Sequence, residues 1–132
     1  MNKCFLKIGA LLGALTVIFG AFAAHTIKSR VNVETLSIFE TGVRYQMYHV
    51  FAIFIVGILY KEFPFKSMVW AGNLFLAGII LFSGSLYLLT YFKAIGSNDM
   101  NWLGAITPFG GICFILGWSL VLRSFYYTKK SL

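Results

Sequence analysis

The sequence predicts an all-α integral membrane protein, a bundle of four antiparallel helices. Four apolar stretches, at about 8–24, 45–60, 67–92 and 100–122, contain no Lys, Arg, Asp or Glu. Hydrophobic residues make up 59% of the 132-residue chain and charged ones 11%, against about 25% charged in a soluble domain. The connections are too short to hold a soluble module. A hydrocarbon core about 30 Å thick needs about 20 helical residues, and lipid offers a backbone no hydrogen-bond partner, so each stretch must close its own bonds as a helix. Residues 1–132 therefore read as one four-span domain, with spans at about 5–25, 38–60, 67–92 and 100–123.

The first stretch imitates a secretory signal, with Lys3 and Lys7, an apolar run and then Ala21-Phe22-Ala23. At about 17 residues the run is long for a signal core, and it is read as a retained first span. Gly9, Gly13, Gly20 and Ala24 fall at steps of four and seven on one stripe, suited to close helix contact inside the bundle or between copies. The connection that follows carries dense charge. Ser37-Ile38-Phe39-Glu40 has the form of a capping box, so the second helix is expected to begin near Ile38. The alternative is a short interfacial helix capped by Asn32, with Val33, Leu36, Phe39 and Val43 turned toward the membrane. The connections at 61–66 and 93–99 are short and force antiparallel neighbours. In the latter, Gly96 suits a helix C-terminus and Asn98 or Asp99 an N-cap. In the fourth span, Thr107-Pro108 predicts a kink or local opening with Thr107 satisfying a freed backbone group. Gly104 and Gly111, and Gly110 and Gly117, repeat a seven-residue step.

The net charge of +7 comes from basic residues at the ends of spans, where they set topology and meet lipid headgroups. Nucleic acid is not an expected partner. Lys3, Lys7, Lys61, Lys66, Arg123, Lys129 and Lys130 share one side, and Lys28, Arg30, Arg44 and Lys93 the other. The positive-inside rule then places both termini in the cytoplasm. Cys4 and Cys113 lie on different spans without metal-ligand spacing and are expected to be buried small hydrophobes.

Depth follows from helix rise. At 1.5 Å per residue, Arg44 lies about 24 Å and His49 about 16 Å from the level of Tyr60. Thr16, Ser83, Ser85 and Thr107 fall near the depth of His49, giving a candidate mid-membrane polar layer. Either His49 is a neutral imidazole satisfied locally by Tyr45 or a third-span serine, or it carries protons or contacts a ligand. Glu40, Arg44 and Tyr48 form a second stripe that His25 can join, a candidate lipid-headgroup or anion site. Its plainer reading is an i,i+4 ion pair between Glu40 and Arg44 at the interface.

Several segments together resemble the domain-of-unknown-function 423 family of YgdD/YwdK-like small membrane proteins. They are Gly20-Ala21-Phe22-Ala23-Ala24-His25, then Phe39-Glu40-Thr41-Gly42-Val43-Arg44-Tyr45-Gln46-Met47-Tyr48-His49, then Leu81-Phe82-Ser83-Gly84-Ser85-Leu86-Tyr87. Ile106-Thr107-Pro108-Phe109-Gly110-Gly111 and Gly117-Trp118 complete the set. Ala23 stands where the family pattern commonly has glycine. The resemblance implies a four-helix protein of the bacterial cytoplasmic membrane and implies no reaction.

No carboxylate pair, nucleophile motif or phosphate loop falls inside the spans, so no catalytic residue, metal or cofactor is predicted. The expected function is non-enzymatic lipid or partner binding, or scaffolding. Its partners would be membrane lipids, a second copy or a larger membrane complex. A small oligomeric transporter or channel using the polar layer is the alternative, and an intramembrane enzyme ranks third.

Overall fold

The computed structural model describes residues 1–128; Lys129 and Lys130, counted above for orientation, lie outside the described residues. Among the described residues all regular structure is helical: α1 (Lys3–His25), α2 (Val33–Leu59), α3 (Lys66–Gly78), α4 (Gly84–Ala94) and α5 (Thr107–Thr128). A π-helical turn, Ile79–Ser83, joins α3 to α4, so the pair makes one span of 29 residues. Short 3-10 turns cover Ile27–Ser29 and Asn101–Ala105.

Local chemistry sets the ends. Asn2 caps α1, its side-chain oxygen accepting from the backbone N–H groups of Cys4 (3.1 Å) and Phe5 (3.3 Å). Asn32 caps α2 by accepting from Thr35 N–H at 2.8 Å. The helix then runs unbroken through the Ser37–Glu40 sequence. It starts earlier than Ile38, and no separate interfacial helix forms: the Ile27–Ser29 turn takes that place. Asn32 wins because its cap opens a first turn that buries Thr35 and packs Leu36 against Ala23, Ile27 and Phe39, while Val33 stays exposed.

Gly96 adopts φ +77°, with Ser97 N–H bonded to Phe92 O (3.0 Å) and Gly96 N–H to Lys93 O (3.1 Å). That is the paired closure of a glycine-terminated helix. Neither Asn98 nor Asp99 supplies a side-chain cap to the next element; Met100 stands at the head of the 3-10 turn. Pro108 does not kink a helix interior. It is the second residue of α5, where a missing N–H goes unnoticed, and the irregularity lies before it in the 3-10 turn.

The four spans are not equivalent. In the most apolar window of each, 44% of α2 and 39% of the third span are buried, against 17% for α1 and 22% for α5. The central pair is thus α2 and the third span, with α1 laid on α2 and α5 on the third span. Phe5 adds a contact from α1 to Gly72 on α3. Peripheral placement also explains why Cys4 is exposed and Cys113 half-buried, rather than both being core residues.

Small residues make both outer seams. Gly9, Gly13 and Gly20 of α1 face Phe54, Val50 and Val43 of α2, whereas Ala24 turns outward. On the other seam, large and small residues alternate between helices. Phe82 lies against Gly110, Phe114 over Gly78, and Phe75 over Gly117. The positions 75, 78, 82 and 85 meet 117, 114, 110 and 107 in antiparallel register, at alternating steps of three and four. Hydroxyl pairs close the two ends: Ser85 with Thr107 (2.8 Å) and Ser67 with Ser124 (2.6 Å). Gly104 and Gly111 have no neighbour within 4 Å of an added Cβ and take no part.

Candidate functional site

His49 sits on the face of α2 that looks toward α5, and it is 6% exposed. Its ring stacks on Phe114 with centroids 3.4 Å apart and planes 5° from parallel. Phe75 closes another side at 5.6 Å. Nδ1 lies 2.8 Å from Tyr45 O, one turn back, and a carbonyl can only accept, so this nitrogen carries the proton. Nε2 is then free to accept, and Trp118 Nε1–H donates to it at 3.4 Å. Both ring nitrogens are engaged by neutral groups, and the Tyr45 hydroxyl is not the partner.

The other polar groups of the expected layer resolve into local ties within and between spans. Tyr87 OH donates to Gln46 Oε1 (2.7 Å), and Gln46 Nε2 donates to Leu12 O (3.3 Å). Thr16 Oγ1 also donates to Leu12 O, at 2.6 Å. This path links the third span, α2 and α1. Ser83 Oγ donates to Gly42 O at 2.7 Å, where the absence of a side chain on Gly42 also admits the Tyr87 ring. Ser85 pairs with Thr107, which therefore serves a neighbouring helix rather than its own freed backbone. The structure brings Ser85 and Thr107 together and links Thr16 to Gln46, but it leaves His49 apart from the hydroxyls. Among the described residues, every buried side-chain nitrogen or oxygen has a partner.

Glu40 and Arg44 are exposed and border a shallow groove of about 250 Å³ with Gly20, Ala23 and Val43, where α1 crosses α2. Arg44 Nη2 donates to Thr41 Oγ1 at 3.3 Å. Tyr48 packs edge-on against Tyr45, and His25 is exposed at the end of α1. Neither of these two lines the groove.

A deeper-set pocket of about 310 Å³ opens at the same end of the bundle, between α1, the Ile27–Ser29 turn, the start of α2 and the end of α4. Phe22, Ile27, Phe39, Tyr91 and Ile95 wall it, and Arg30 is its one charged lining residue. Tyr87 lies at its base with its hydroxyl turned away to Gln46. Thr90, also in the lining, donates to Leu86 O. What faces the cavity is thus mostly hydrocarbon and ring, with a guanidinium present as the single cation. Sequence reasoning missed this pocket, Gln46 and the role of Trp118. Phe22, Phe39 and Tyr91 lie on three separate spans, and only helix rotation shows that they converge. Among the described residues, no three His, Cys, Asp or Glu side chains gather as a metal site.

Four membrane-length helices, tied across their middle by neutral hydrogen bonds and opening one apolar pocket at an end, define a small polytopic membrane bundle. The family described as "Protein of unknown function (DUF423)" matches residues 19–111. The chain is 40% identical to the UPF0382 membrane protein YwdK of Bacillus subtilis, over 91% of this chain and 94% of that protein. It is likewise 40% identical to a UPF0382 membrane protein of Staphylococcus aureus (strain bovine RF122), over 96% of this chain and 98% of the relative. With one of Staphylococcus haemolyticus it shares 38% identity over 92% and 94%. The chain belongs to the DUF423 family of membrane proteins. No solved structure matches it.

Proposed function

We propose that the protein is a non-enzymatic binder of an anionic, single-tailed amphiphile or lipid chain, held in the pocket between α1, α2 and α4. The supporting observation is the pairing of apolar walls with Arg30 as the one charged lining group. Small-ligand sites are concave, mostly apolar and carry few polar groups that fix orientation. A hydrocarbon tail packs among Phe22, Phe39 and Tyr91, and Arg30 meets the headgroup with its donor fork. The protein sits in the bacterial cytoplasmic membrane with both termini cytoplasmic, following the charge bias of its loops.

The mid-membrane hydroxyls and His49 act as structural ties in this account, since each has a protein partner. Native mass spectrometry of the full chain extracted from membranes tests the proposal. The wild type should retain a bound amphiphile; Ala94→Trp, which fills the pocket from α4, and Arg30→Gln should lose it. Equal adduct patterns in all three proteins would remove the pocket from consideration.

A further inference from the structure

At the opposite end of the bundle, where α1 begins and α5 ends, a groove of about 380 Å³ runs between α3 and α5. Lys66 and Arg123 are both in its lining, with Trp70, Tyr127, Phe65 and Leu120. Among the described residues no carboxylate lines it. Glu62, an acid at this end, stands exposed in the connection at 61–65, outside the groove. Arg123 is held in place: its Nη2 donates to Tyr127 OH at 3.0 Å, and its guanidinium lies 5.3 Å from the centre of that ring. That one bond uses one of five N–H donors, leaving four without a hydrogen-bond partner among the described residues. Lys66 has no ion-pair or hydrogen-bond partner for its ammonium among the described residues.

Two cations at the ends of neighbouring helices line one groove, and paired cations of this kind suit a phosphate. Trp70 is 62% exposed one turn deeper on α3, the position and residue type of an interfacial anchor. Leu120 continues the groove toward the apolar region. The arrangement offers a charged upper part for a phosphate and an apolar lower part for an acyl chain. Basic pockets between helices on the cytoplasmic side are a known mode of anionic headgroup recognition. We propose that this groove binds the phosphate of an anionic phospholipid between Lys66 and Arg123, with an acyl chain laid along Trp70. The site is independent of the Arg30 pocket, at the other end of the molecule.

The experiment uses the full chain in vesicles containing brominated phosphatidylglycerol or brominated phosphatidylcholine, with quenching of Trp fluorescence as readout. The part of the quenching that disappears in Trp70→Phe reports this groove. That part should be larger with the anionic lipid, and the preference should fall about fivefold on removal of each cation in Lys66→Gln and Arg123→Gln. Circular dichroism verifies that both variants keep native helix content. Equal Trp70 quenching by the two lipids, or a preference that survives the double substitution, would overturn the proposal. Inorganic phosphate at millimolar concentration should leave the preference intact; if it abolishes it, the groove takes a free phosphate and the lipid assignment fails.

Discussion

Replacing Gly110 by alanine tests the packing of α5 on the third span. A Cβ there would lie 2.7 Å from Phe82 Cβ and 2.8 Å from Phe82 Cα, with Phe82 N closer still. Two of these three atoms are backbone, so no rotamer change relieves the contact. Ordinary contact begins at 3.4 Å, so α5 must move more than 0.7 Å from the third span, the difference between 3.4 and 2.7, because Phe82 N is nearer still. That movement also loosens Phe114 over Gly78 and Phe75 over Gly117, because the three pairs share one seam. Overpacking of this kind costs about 1–3 kcal/mol, and the backbone obstacle argues for the upper half. Gly111 is the control, one residue away with nothing within 4 Å of an added Cβ. Gly111→Ala should be neutral or gain up to about 1 kcal/mol of helix propensity. Reversible unfolding by SDS in dodecylmaltoside micelles, followed by far-ultraviolet circular dichroism, measures both. Equal stability of the two variants would refute the alternating phenylalanine–glycine seam.

Other outcomes follow from the same geometry. Gln46→Leu should destabilise by about 1 kcal/mol, in the range for interhelical hydrogen bonds in membranes, because it leaves Tyr87 OH without its acceptor. Adding Tyr87→Phe should recover most of that loss, read as a coupling term in a double-mutant cycle. His49→Ala removes a ring packed against Phe114 and Phe75 and should cost about 2–5 kcal/mol, whereas His49→Phe should cost much less in the same unfolding assay. Gly96→Val should lose about 1–2 kcal/mol through its left-handed backbone, with Gly96→Asn milder. Cys4 is exposed at the terminal end. In a Cys113→Ala background, a membrane-impermeant maleimide should label it only after cells are permeabilised, if the termini are cytoplasmic.

Much of the bundle is legible in the sequence because lipid imposes simple rules. Span count and the shared level of Ser85 and Thr107 follow from apolar length and a rise of 1.5 Å per residue, and the Gly96 terminus follows from glycine's ease in the left-handed region. Depth alone cannot supply rotation. His49, Ser83 and Thr16 occupy similar levels, yet His49 faces α5, Ser83 faces α2, and Thr16 bonds back to its own helix. Gln46 and Tyr87 escaped notice as a pair because they meet only once α2 and the third span are docked. The π-helical turn at Ile79–Ser83 is equally silent, since it inserts no residue type that marks it. Asn32 and Ser37 offered two competing helix starts; the choice rests on Leu36 packing against Ala23 and Ile27, contacts that only the folded chain supplies.

The central claim, an amphiphile held at the Arg30 end, is tested most directly by photocrosslinking. The full chain would be incubated in membranes with a diazirine-bearing anionic single-chain lipid, and the labelled peptides mapped by mass spectrometry. Labels should concentrate on Phe22, Ile27, Tyr91 and Ile95, the walls of the pocket, and fall away in Ala94→Trp. Labels distributed evenly over outward residues such as Leu11 and Ile115, which are 62% and 67% exposed, would show ordinary bilayer contact and contradict the claim.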